Sequence, residues 1–69
     1  MTDEKLHAAL LANDSVQGVA DGMLARHFRK PLAEVQEGLD RLARAERAVR
    51  VGNDYGSSTP NPSGLWRAR

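Results

Sequence analysis

Cysteine is absent from this 69-residue chain, which excludes a disulfide framework and the thiolate zinc sites that staple many domains of this size. The two histidines, His7 and His27, stand far apart and without HExxH spacing, so no metal and no cofactor is expected. Aromatic residues are scarce: one Phe, one Tyr and one Trp. No apolar run approaches the length of a membrane span. The opening Met1-Thr2-Asp3-Glu4-Lys5 lacks the basic and then apolar regions of a secretory signal, so a cytoplasmic location is expected, and the start at Met1 favours a complete N-terminus. There is no nucleophile elbow and no glycine-rich phosphate loop, and a chain this short has little room for a water-excluding pocket; no enzyme is expected.

The residues present are those of a folding domain. Apolar residues make up 41% and charged residues 28%, a balance that excludes a disordered chain, and the length allows one domain only. The net charge of +1 hides a polarity. Residues 1–40 carry four basic and seven acidic side chains, whereas residues 41–69 carry six arginines and two acids. Such a basic end can orient a protein on a polyanion, although a charged face is often only a solvated one.

Patterning predicts six elements. Thr2 caps a first helix over about residues 2–13, with Asp3 and Glu4 in its first turn and Leu6, Ala9 and Leu10 on one stripe. Val16, Gln17 and Val19 alternate as a short strand over about 16–19. Asp21 offers a cap for a second helix over about 21–29, which places Leu24 and Phe28 on one side and ends at Lys30-Pro31. The third helix, over about 31–46, has the clearest period: Val35, Leu39 and Leu42 face inward, while Ala33, Gln36, Glu37, Asp40, Arg41 and Arg44 lie outside or on the flanks. Gly38 within it costs about 1 kcal/mol against alanine and implies close approach by a neighbouring helix. The period then switches to two over 47–51, with Val49 and Val51 on one side and Ala48 and Arg50 on the other. A turn-rich stretch, 52–63, separates this strand from a last one over about 64–68.

Val19-Ala20-Asp21-Gly22-Met23-Leu24-Ala25-Arg26-His27-Phe28, followed by Pro31 to Leu42 with its valine and two leucines, resembles the helix-turn-helix core of small bacterial transcriptional regulators. The segments Arg47–Val51 and Leu65-Trp66-Arg67 resemble the two strands of a wing. The resemblance spans nearly the whole chain, though its motifs are short and degenerate. It implies an α+β winged helix-turn-helix domain in the order α-β-α-α-β-β, with residues 52–63 as the wing loop. Thr59-Pro60-Asn61-Pro62 before Trp66 is also similar to the wing of Z-form nucleic acid readers. Those proteins carry an asparagine and a tyrosine on the recognition helix where Gln36 and Asp40 stand here, which sets that subfamily aside.

The winged-helix resemblance implies that the third helix enters the major groove of double-stranded DNA. Gln36 would then suit adenine, and Arg41 or Arg44 guanine or phosphate. Arg26, Arg29, Lys30, Arg44, Arg47, Arg50, Arg67 and Arg69 form the phosphate-binding reserve. The wing, with no Lys or Arg between residues 52 and 63, would contribute hydrogen bonds from Asn53 and Tyr55, joined by Ser57, Ser58, Thr59 and Asn61. Ala33, Glu37 and Asp40 complete the presented face. Glu34, Glu37 and Asp40 fit phosphate poorly; the helix dipole accounts for Glu34, and an ion pair four residues on with Arg41 accounts for Glu37. These acids support the rival expectation of a protein-interaction module, and a homodimer is compatible with either reading. Trp66, beside Leu65 on a strand, is expected in the core.

Overall fold

A computed structural model describes residues 2–54 and 63–69. It contains α1 (Asp3–Ala12), β1 (Val19–Ala20), α2 (Asp21–Phe28), α3 (Leu32–Arg44), β2 (Ala48–Asp54) and β3 (Ser63–Ala68), an α+β fold of three helices and one three-stranded antiparallel sheet in the order β1-β3-β2.

α1 starts where a hydroxyl can satisfy a free backbone donor: the Lys5 N–H donates to Thr2 Oγ1 at 3.2 Å. Asn13 closes its other end by donating from Nδ2 to the Ala9 carbonyl at 2.8 Å. Leu6, Ala9 and Leu10 are buried, as their spacing predicts. The first strand is shorter and later than its alternation suggests. Val16 and Gln17 lie in a turn, with Val16 88% exposed, because among the described residues only Val19 and Ala20 of this segment find strand partners, Trp66 and Leu65, on β3.

Asp21 does not cap α2. Ala20 holds the cap position without a side-chain hydrogen bond, and Asp21 is the first helical residue, its carboxylate buried. α2 also ends before the proline acts on it. Arg29 turns left-handed at φ 54°, letting the Lys30 N–H donate to the Ala25 carbonyl at 3.0 Å. α3 ends in the same way: Glu46 has φ 60° and the Arg47 N–H donates to the Leu42 carbonyl at 2.8 Å, so helical residues stop at Arg44 rather than 46.

The core joins Leu6 and Leu10 of α1, Val19 of β1, Leu24 of α2, Val35, Leu39 and Leu42 of α3, Ala48 of β2 and Trp66 of β3. Gly38 permits close approach of α1 to α3, since a Cβ there would lie 2.8 Å from Leu6 Cδ2. In β2 the small Ala48 turns inward and the valines outward. Ala48 is buried opposite Ala68, whereas Val49 and Val51 are 39% and 47% exposed. A bulge inserts Val51 between the Arg50–Trp66 and Gly52–Leu65 pairs. Beyond it β2 runs on through Gly52, Asn53 and Asp54, residues whose turn chemistry places them in a loop by sequence, because β3 is there to pair with them. No helix among the described residues is long and apolar enough to cross a membrane.

Candidate nucleic-acid interface

The period of α3 determines what it shows to solvent. Val35, Gly38, Leu39 and Leu42 are buried, so Ala33, Glu34, Glu37, Asp40, Arg41 and Arg44 emerge on the uncovered side. Glu37, Asp40, Arg41 and Arg44 line an open depression there. Glu34 lies in the first turn and Arg41 and Arg44 in the last, so each complements the helix dipole.

Two of the expected cations are already paired. Arg41 grips Asp3 of α1 with both arms of its guanidinium, Nε to Oδ2 at 3.1 Å and Nη2 to Oδ1 at 2.9 Å. The ion pair with Glu37 expected from spacing gives way to this one, since a two-pronged fork is the better geometry for a carboxylate. Arg67 holds Asp14 likewise, at 3.0 and 2.9 Å. These hydrogen bonds lower the carboxyl pKa of Asp3 and Asp14 below the ordinary 3.8 and raise those of the two arginines.

Arg26, Arg29 and Lys30 lie on α2 and the turn that leads into α3, while Arg44 lies in the last turn of α3. All four are exposed and have no ion-pair partner among the described residues. Arg50, on β2, places its guanidinium carbon 5.9 Å from the centre of the Trp66 ring. Arg47 reaches His7 Nδ1 at 3.4 Å.

Gln36 differs from its neighbours. It is half-buried, and its Nε2 donates to Asp21 at 3.3 Å. Trp66 is 4% exposed, and its indole N–H donates to the same carboxylate at 3.4 Å. Asn53 pairs through its backbone with Gly64. Tyr55, Ser57, Ser58, Thr59 and the Asn61 and Pro62 positions fall outside the described residues. Among the described residues no group of three or more His, Cys, Asp or Glu side chains could hold a metal ion.

Sequence reasoning missed three acids that shape this surface. Asp3 was legible as a first-turn residue of the first helix, but its partner stands 38 positions away and that of Asp14 stands 53 away, and no local pattern connects them. Asp21 reads as a cap; the one hint otherwise is a lone core tryptophan whose N–H needs an acceptor. Compared with protein-family profiles, curated proteins and solved structures, the chain matches none.

Proposed function

We propose that this chain is a winged-helix domain that binds double-stranded DNA, without cofactor or catalysis, as a cytoplasmic bacterial transcriptional regulator. In this reading α3 enters the major groove and the β2–β3 ribbon is the wing, lying on the backbone or the minor groove. The observed order of elements is compatible with that fold. The observation that carries the functional reading is the uncovered side of α3, preceded by Arg26, Arg29 and Lys30 and ending in Arg44, none of them neutralised by an ion pair among the described residues. A helix with its apolar stripe buried and unpaired cations about its ends suits phosphates on either side of a groove. Ala33, Glu37 and Asp40 then face the base edges, where a carboxylate accepts from a cytosine amino group. Arg50 serves the wing; Arg41 and Arg67 contact DNA only by giving up Asp3 and Asp14.

A second reading is favoured by one specific observation. Because Arg41 is committed to Asp3, Glu34, Glu37 and Asp40 give the middle of α3 an acidic character that suits a basic protein partner. Titrating the labelled chain with random-sequence duplex at low and moderate salt separates the two. DNA binding shifts amide signals of residues 33–44 and of the ribbon, and the shifts shrink as salt rises, since phosphate contacts release counterions. An unchanged spectrum at low salt removes the DNA reading and leaves the protein-partner one.

A further inference from the structure

We infer that Asp21 is a positioning residue of the binding surface, its buried carboxylate fastening the base of the β2–β3 ribbon to α3 so that helix and ribbon meet a ligand as one rigid unit. The role in binding rests on the DNA reading; the fastening stands on geometry alone.

Asp21 is 1% exposed, a charged residue buried in the core. Register explains its reach. β1 pairs Val19 with Trp66 and Ala20 with Leu65, so the next residue along, Asp21, comes opposite Gly64. Its Oδ2 accepts from three donors on two other elements: Gly64 N–H at 3.1 Å and Trp66 Nε1 at 3.4 Å on β3, and Gln36 Nε2 at 3.3 Å on α3. The first turn of α2 adds the positive end of a helix dipole. Gly64 is required for this convergence. A Cβ there would lie 2.8 Å from Trp66 Nε1 and 3.0 Å from Arg50 Nε, where the indole must pass to reach the carboxylate.

A buried carboxylate is an expensive way to add stability, since an apolar residue of similar volume packs without the desolvation cost. What it adds is direction: three donors converging on one atom hold α3 and β3 at a single relative placement. The residues joined are Gln36, a half-buried polar side chain beside the exposed side of α3, and the strand that returns from the ribbon. Among the described residues Oδ1 has no hydrogen-bond partner, so the convergence needs one oxygen and not two.

That asymmetry sets the test. In Asp21→Asn the carboxamide oxygen takes the three donors and the NH2 takes the place of the unpartnered oxygen; in Asp21→Ala every bond is lost. Trp66 is the chain's single tryptophan, so its indole N–H signal reports the joint without ambiguity. Asp21→Ala is expected to retain its helical circular dichroism, to move the Trp66 indole and Gly64 amide signals, and to weaken binding of random duplex about fivefold or more, the lower end of ordinary coupling between sites. Asp21→Asn is expected to restore both signals and affinity. Should Asp21→Ala unfold, Trp66→Phe removes one donor while keeping a ring, and is read by the Gly64 signal and duplex affinity. Unmoved signals in a folded variant overturn the fastening. Moved signals with wild-type affinity overturn the positioning role, and Asp21→Asn binding as weakly as Asp21→Ala overturns the hydrogen-bond mechanism. A wild-type chain that ignores duplex removes the DNA reading and with it the positioning role, while the Trp66 and Gly64 signals still decide the fastening.

Discussion

Two surface carboxylates show how single residues set the character of this fold. Asp3 and Asp14 each receive two charge-assisted hydrogen bonds from an arginine distant in sequence, and each is therefore more acidic in the folded chain than in the unfolded one. A group whose folded pKa is depressed contributes stability above its unfolded value, here near 3.8, and loses it as pH falls through the folded value. Both pairs are solvent-exposed and open to screening, so the contribution is small and fades with salt. Thermal melts of wild type and the Asp3→Asn, Asp14→Asn double variant test this. The variant is expected to melt slightly lower at neutral pH and to converge on the wild type in strong acid; a gap that persists there assigns the effect to something other than ionisation. The same change frees Arg41 and Arg67, so the variant is also expected to bind duplex more tightly at low salt, which a role for these arginines confined to the fold does not produce.

The helices were the most legible elements because their apolar stripes repeat locally: Leu6, Ala9 and Leu10, then Val35, Leu39 and Leu42, are buried as the spacing requires. The strands were less so. β2 continues through Gly52, Asn53 and Asp54 because a partner strand completes their hydrogen bonds, a condition no propensity contains, and β1 shrinks to two residues for want of one. Of the candidate interface, the exposed α3 residues followed from the same period, whereas the commitment of Arg41, Arg67 and Gln36 to distant acids did not. Helix ends were hidden for a related reason. Both α2 and α3 close on a left-handed residue, Arg29 and Glu46, where glycine would be the signal. Such a residue pays for its Cβ, by roughly 1–2 kcal/mol per left-handed position. Glu46→Gly is therefore expected to stabilise the chain, by up to about 1 kcal/mol once the added freedom of the unfolded glycine is set against that strain. A rise in urea midpoint at unchanged slope supports this account, and a fall in the midpoint excludes it. Arg29, at the equivalent place before α3, is the exception worth keeping if its charge serves phosphate.

At the scale of the whole molecule, charge and size together set how binding would be felt. The net charge is close to neutral, but the cations gather toward the last 29 residues and the α2–α3 turn, so attraction to a polyanion depends on orientation rather than on total charge. A domain this small buries only about 60% of its unfolded surface, and no disulfide supports the core, so its stability is modest and a bound ligand changes it measurably. A duplex present at about 100 times its dissociation constant adds about 2.7 kcal/mol to the folded state. For a chain of this length each kcal/mol moves the melting temperature by roughly 4–8 °C, so random duplex at low salt is expected to raise it by roughly 10 °C or more. Phosphate contacts require that the rise shrink steeply as salt increases, while the melting of the free chain changes only by the small share of its exposed ion pairs. A rise that persists unchanged at high salt points to contacts other than phosphate, and no rise at any salt places the partner of α3 among proteins.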